Sequence, residues 1–248
     1  MSSVVFAAPC RVCGQALTTA SRIPICPDCL NSFTRITDPL CQRCGRPFVS
    51  PVAAQAAVPL CRLCRLNTYA FDQARSYAIY SAALFEAIIL MKHEEVAALG
   101  DWFAARLVEI AGPPEVRWRP DRVVPVPLHR ERRRERGYNQ AELIAKPLAK
   151  RVGASLDAGL LIRTKPRPLQ LLLSRSHRWE SVRGAYVTQE GSRVDKLCIL
   201  LVDDVFTTGA PLDSCARALK RAGAATILAL TVGRAVPGWF LPGTVRKN

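Results

Sequence analysis

No apolar run in this 248-residue chain approaches the roughly 18 residues that a membrane-spanning helix needs. The stretch MSSVVFAAPCRVCG at the start lacks the basic segment and long apolar run of a secretory signal. Both absences exclude the membrane and export classes and lead us to expect a cytoplasmic protein. Acidic residues are few, 20 against 35 basic ones, so the formal net charge is +15. Lysine is scarcer still, with 7 lysines beside 28 arginines. Arginine's planar fork grips phosphate and carboxylate in a bidentate way, so the excess favours anionic partners, with solvated surface charge as the plainer reading of any single cluster.

The length suits one full domain plus a smaller module, which we place at residues 69–248 and 1–68. The smaller part is defined by cysteine. Eight of the ten cysteines form four C-x-x-C pairs: Cys10/Cys13, Cys26/Cys29, Cys41/Cys44 and Cys61/Cys64. Each such turn sets two thiolates at neighbouring corners of a tetrahedron, and two turns complete a zinc site with Zn–S distances of about 2.3 Å. Gly14 and Gly45 follow the second cysteine of two pairs, where a tight knuckle favours positive φ.

Sequential pairing puts Cys10, Cys13, Cys26 and Cys29 in one site and Cys41, Cys44, Cys61 and Cys64 in the other. A cross-braced pairing uses the same ligands but closes longer loops, and disulfides or an iron–sulfur site are further alternatives. Four thiolates leave no coordination position for water, so the zinc is expected to be structural. Eight thiolates and two Zn²⁺ ions together carry −4, which lowers the formal charge of +15 to about +11. Cys198 and Cys215 lie outside these pairs and read as core residues.

From Tyr69 onward, short β-rich runs alternate with amphipathic stretches, the order of a mainly parallel sheet covered by helices. Strands are expected near 73–80, 122–127, 197–202 and 226–232, and helices over 82–92 and 94–110. His93, at the junction of those helices, reads as a surface or satisfied histidine. Asn139 followed by Glu142 fits a capping box, so a further helix should start at Gln140 and bury Ile144, Leu148 and Val152. Pro147 lies inside it and should kink or divide it.

Chemistry concentrates in LLVDDVFTTGAPLDSC, residues 200–215. A buried strand leads into Asp203 and Asp204, then the turn Thr207, Thr208, Gly209, Ala210, then a helix near Leu212 with apolar residues at helical spacing. Ligands bind open α/β sheets outside the carboxyl ends of the strands. The turn can aim N–H groups and hydroxyls at a phosphate, aided by the positive end of the helix dipole. Adjacent carboxylates can accept hydrogen bonds from vicinal sugar hydroxyls, so a sugar 5-phosphate fits both halves. A capped helix alone would explain Thr208 and Gly209 but not two aspartates.

LLVDDVFTTGA resembles the phosphoribosyl-pyrophosphate (PRPP) motif of type I phosphoribosyltransferases. The chain as a whole is similar to the ComF family of competence-associated proteins. The similarity runs through the zinc knuckles, VPVPLHRERRRERGYNQAELIA, LSRSHRWESVRGAY and LLVDDVFTTGA, in that order. It implies an α/β fold with a mainly parallel-sheet type I phosphoribosyltransferase-like domain, preceded by a small N-terminal double zinc-ribbon module. It also implies that Asp203 and Asp204 face the ribose hydroxyls and that Thr207 to Ala210 hold the 5-phosphate. Val126, Pro127 and Leu128 would form the pyrophosphate loop with Arg136 near the leaving group, and Gln170, Arg175 and Arg178 would lie on a hood loop. Mg²⁺ would accompany PRPP, since a cation offsets the leaving group's charge.

Three departures from the family pattern stand out. A threonine is usual where Pro211 stands, an asparagine is commoner where Ser181 stands, and LMKHEEVAALG differs from a lysine-aromatic-glycine pattern. Pro211 removes one N–H and one hydroxyl from the phosphate cradle, although proline suits the first turn of a helix.

The resemblance and the basic charge point to single-stranded DNA handling in DNA uptake. Aromatic content is only 7%, and Trp118, Tyr138, Trp179 and Tyr186 are the candidate stacking platforms beside arginines. An active phosphoribosyltransferase using a base or amine acceptor, and a nucleic-acid-binding module with a non-catalytic phosphate site, are the alternatives.

Overall fold

The computed structural model describes residues 8–18, 21–48, 57–111, 118–166, 179 and 182–236. Gln170, Arg175, Arg178 and Ser181 lie outside the described residues.

A five-stranded parallel sheet, in the order β1-β7-β6-β2-β3, forms the centre. Its strands are β1 (Gln73–Ile79), β2 (Arg122–Pro125), β3 (Ser155–Leu156), β6 (Cys198–Phe206) and β7 (Thr226–Arg234). The runs CILLV and TILALTV are almost continuously apolar because β6 and β7 are covered on both faces. A two-stranded antiparallel hairpin, β4 (Leu161–Arg163) with β5 (Tyr186–Thr188), stands apart from the sheet.

Strand β6 runs four residues beyond its expected end at 202, and β7 runs two beyond 232. Their ladder continues through Asp203 opposite Thr231, Val205 opposite Gly233 and Phe206 opposite Arg234, so pairing overrides the low strand preference of aspartate. Strand β2 stops at Pro125 rather than 127; Val126 still donates to the Val202 carbonyl at 2.9 Å, and Pro127 has no N–H to continue.

Helices α3 (Ala82–His93), α4 (Ala97–Ile110) and α6 (Gln140–Val152) cover one face. Their core includes Ile88, Phe103, Ile144 and Leu148 against Val123, Leu200, Val202 and Leu230. Helix α7 (Ala210–Arg221) and the β4–β5 hairpin cover the other, over Val124, Ile199, Leu201 and Ala229. Burying a Leu or Ile side chain of this kind is worth about 1.5–3 kcal/mol.

Helix α6 begins at Gln140, with the Asn139 side chain accepting from the Ala141 N–H at 3.1 Å. The expected capping box is only half formed, because the Glu142 carboxylate pairs with Arg133 at 3.1 Å. Pro147 neither ends nor divides the helix. Its missing N–H leaves the Leu143 carbonyl without its intrahelical partner, and α4 packs there through Gly100. A Cβ on Gly100 would lie 2.5 Å from that carbonyl oxygen. His93 is exposed, as expected.

The cysteine-rich segment packs against both faces. Cys10, Ile25, Cys26 and Phe33 share the core with α3 and α4, whereas Cys41, Cys44, Cys61 and Cys64 share the other core with α7. Between the two groups, the chain adds an antiparallel rung to β1: Ile36 N–H donates to Tyr77 O at 3.0 Å and Ile79 N–H to Thr34 O at 2.8 Å. This rung covers the free edge of β1.

Candidate functional site

The cysteines fall into two groups in the sequential pairing. Cys10, Cys13, Cys26 and Cys29 gather their sulfurs within 4.8 Å of one another, and Cys41, Cys44, Cys61 and Cys64 do the same. Zn–S bonds of about 2.3 Å in a tetrahedron require sulfur separations of about 3.8 Å. The Sγ atoms of Cys13 and Cys26 are 3.7 Å apart and those of Cys44 and Cys61 are 3.6 Å apart, so both sets fit zinc.

The two knuckles repeat each other bond for bond. Gly14 N–H donates to Cys10 O and Gly45 N–H to Cys41 O, both at 2.8 Å. Cys26 N–H donates to Cys10 Sγ at 3.2 Å and Cys61 N–H to Cys41 Sγ at 3.3 Å. Short helices at Pro27–Asn31 (α1) and Arg62–Arg65 (α2) hold Cys29 and Cys64, with Cys26 and Cys61 as their N-caps. In the second group all four cysteines are buried; in the first, Cys13 is exposed.

At the carboxyl edge of the sheet, β6 delivers Asp203 and Asp204. Successive strand residues face opposite sides, and the two carboxylates accordingly have different surroundings. Asp204 is buried towards α3, where the Lys92 ammonium lies 2.7 Å from its Oδ2 without hydrogen-bond alignment. Asp203 lies on the α7 side and accepts from the Asp204 N–H at 2.9 Å. Burial first, and then repulsion from Asp204, push the Asp203 carboxyl up to about 7, against the opposing pull of Lys92 and Arg163.

The turn after β6 is firmly built. Gly209 has φ +79° and caps α7, where a Cβ would meet Phe206 at 2.5 Å and Tyr69 at 2.8 Å. Thr208 is buried; its Oγ1 accepts from Ala210 N–H at 3.3 Å and its carbonyl accepts from the Tyr69 hydroxyl at 3.1 Å. Thr207 is exposed. Helix α7 begins at Ala210, two residues before the expected Leu212, with Pro211 in its first turn, so the helix start survives the proline. Its buried Asp213 accepts from Ala70 N–H at 2.7 Å and pairs with Arg217 at 2.8 Å.

Next to this turn, the buried Val126 and the part-exposed Pro127 and Leu128 leave β2 beside β6, and Asn139 Nδ2 holds Val126 O at 3.0 Å. The short helix α5 (Arg130–Arg136) follows, with Arg130, Arg132, Arg133 and Arg134 exposed. Arg136 is half-buried and donates to the Gln140 side chain. A bridge between His129 and Arg163 joins this basic ledge to the hairpin.

Thus β2, β6 and the turn gather Val126, Pro127, Leu128, Asp203, Asp204, Thr207, Thr208, Gly209 and Ala210 at one edge, with Arg136 on the helix that follows the β2 loop. Arg178 lies outside the described residues. Among the stacking candidates, Tyr186 is buried, and the Tyr138 hydroxyl is engaged by Met91 O and Glu95 N at the α3–α4 junction. Trp118 and Trp179 are half-buried. Sequence reasoning missed Lys92 and Arg163; the lysine within LMKHEEVAALG was the available signal for the first.

Sheet, carboxylate edge and paired cysteine clusters together define an α/β protein of the double zinc-ribbon class. Residues 1–65 match the double zinc ribbon domain family. The DNA utilization protein YhgH of Salmonella typhimurium is 30% identical over 221 residues, covering 88% of this chain and 93% of that protein. The competence protein ComFC of Bacillus subtilis is 28% identical over 225 residues, covering 85% and 84%. The chain belongs to the ComF family that contains these proteins. Among solved structures, a glutamine PRPP amidotransferase from B. subtilis superposes with a TM-score of 0.35 at 21% identity, covering 54% of this chain and 25% of that one. No helix among the described residues is long and apolar enough to cross a membrane.

Proposed function

We propose that the chain binds PRPP, or a related ribose phosphate, with Mg²⁺ at the carboxyl edge of the sheet and handles single-stranded DNA. The observation that carries the ribose-phosphate reading is the β6–α7 junction, where paired carboxylates stand directly before a glycine-capped turn and a 12-residue helix. A 5-phosphate would rest on Thr207 to Ala210 at the positive end of that helix. Asp203 and Asp204 would accept the ribose hydroxyls, and Val126, Pro127 and Leu128 would flank the pyrophosphate. Arg136 and Arg178 would bring positive charge to the leaving group, where Mg²⁺ offsets the remainder. Lys92 holds Asp204 at 2.7 Å and would share that carboxylate with the ligand.

The nucleic-acid half is supported by the relatives, a DNA utilization protein and a competence protein, and by the exposed arginines of α5. A second reading, phosphoribosyl transfer to a base or amine, is favoured by Asp203, whose carboxyl near 7 is poised for proton transfer. Departure of pyrophosphate through an oxocarbenium-like state would then be stabilised by charge and positioning.

Calorimetric titration with PRPP and Mg²⁺, and with an oligonucleotide at several salt concentrations, tests both halves. Binding of each is expected, with DNA affinity falling as salt rises; no DNA binding at low ionic strength would remove the DNA half. Pyrophosphate release from PRPP in the presence of candidate acceptors separates transfer from binding alone.

A further inference from the structure

The second cysteine cluster touches the proposed phosphate turn through one arginine. Arg234, at the end of β7, is only 4% exposed. Its Nη1 donates to Cys44 O at 2.6 Å and its Nη2 to Cys44 Sγ at 3.4 Å. Its guanidinium lies 4.0 Å from the ring centre of Phe206, the residue that ends β6 and opens the turn. A buried arginine needs an anionic counterpart, and Arg234 forms no ion pair with a carboxylate among the described residues. The zinc-loaded four-thiolate site would carry −2 and lie in direct contact with it.

The contacts continue into the turn. Phe206 packs edge-on against Tyr69 at 5.9 Å, and Tyr69 donates to Thr208 O at 3.1 Å. Gly209 lies so close to both rings that a Cβ there would overlap them. Cys44, Cys61, Tyr69, Thr207 and Arg234 line one small cleft. The first cluster is placed differently, in the core with α3 and α4.

We infer that Arg234 is a positioning residue: held by the second cysteine cluster, it fixes Phe206 and thereby the Thr207–Ala210 turn, so that metal in this cluster governs affinity at the ribose-phosphate site without touching the ligand. The affinity part of this inference rests on the PRPP reading above; the ordering of the turn does not.

Three measurements on the full-length chain test it. First, Arg234→Gln should retain two zinc ions per chain yet bind PRPP with Mg²⁺ about tenfold more weakly, the loss expected for one charge-assisted contact. Arg234→Lys, which keeps a cation opposite the thiolates, should recover the greater part. Wild-type affinity in a zinc-replete Arg234→Gln protein would overturn the inference. Second, stepwise chelation should remove zinc first from the cluster with the exposed Cys13, leaving PRPP affinity unchanged, and should reduce affinity only with loss of the second ion. Unchanged affinity after loss of both ions would overturn it, even if Arg234→Gln fails to fold. Third, hydrogen–deuterium exchange across 206–210 without ligand should rise on loss of the second zinc; unchanged exchange would overturn the inference. If wild-type protein shows no PRPP binding, the PRPP reading fails while this exchange measurement still decides the ordering of the turn.

Discussion

Asp203→Asn should stabilise the ligand-free protein while damaging its proposed site. The Asp203 carboxyl is raised from 3.8 to about 7, chiefly by burial and then by Asp204. In the folded protein it keeps its proton to about pH 7, whereas the unfolded chain releases it near pH 4. This group's contribution is therefore fully favourable below about pH 4 and is lost as pH rises through about 7. A lift of roughly three units caps the effect at about 4 kcal/mol. Because Asp203 is part-exposed, solvent screening reduces this to about 2 kcal/mol.

Asparagine has no proton to lose in this range and retains an oxygen to accept from the Asp204 N–H. Its stability advantage over wild type should therefore be under about 1 kcal/mol at pH 5, where the unfolded carboxyl is already ionised, and grow to about 2 kcal/mol at pH 8, a midpoint gain of about 4–8 °C. Paired thermal melts across this range measure the difference, in which metal–thiolate chemistry common to both proteins cancels. A constant difference across the range, or an Asn variant less stable at pH 8, would refute the reasoning.

Three further outcomes are expected. Pro211→Thr restores an N–H and a hydroxyl in the first turn of α7 and should tighten PRPP binding by about 5- to 150-fold in calorimetry, the equivalent of about 1–3 kcal/mol. Gly100→Ala forces a Cβ to within 2.5 Å of Leu143 O and should cost about 1–3 kcal/mol in denaturant unfolding, because α4 and α6 must separate. Metal analysis should find two zinc ions per chain, and stripping both should lower the melting midpoint; a content well below two would contradict the paired sites.

The legible parts of the molecule were local. Four C-x-x-C turns specify their own geometry, and the apolar runs of β6 and β7 identify the buried strands from composition alone. The junction Val202–Leu212 could be read because strand, carboxylates, turn and helix are contiguous. Features made by distant pairing were not legible. Strand β6 extends through its aspartates because β7 pairs with it, and α6 passes through Pro147 where Gly100, 47 residues earlier, admits α4. Lys92 meets Asp204 across more than 100 residues of chain, and Arg234 meets Cys44 across 190. Tyr138 and Tyr186 looked like stacking surfaces by composition, yet one is tied to the α3–α4 junction and the other is buried.

The central claim is a ribose-phosphate site on the carboxyl edge of β6. The most direct test is the thermal midpoint of the zinc-loaded protein with and without PRPP and Mg²⁺. A ligand at about 100 times its Kd stabilises by about 2.7 kcal/mol, or about 5–11 °C in a chain of this size. The wild-type midpoint is predicted to rise by that amount, and the Asp203→Asn/Asp204→Asn protein should show no rise above its own ligand-free value. An unchanged wild-type midpoint at saturating PRPP, or an equal rise in the double variant, would contradict it.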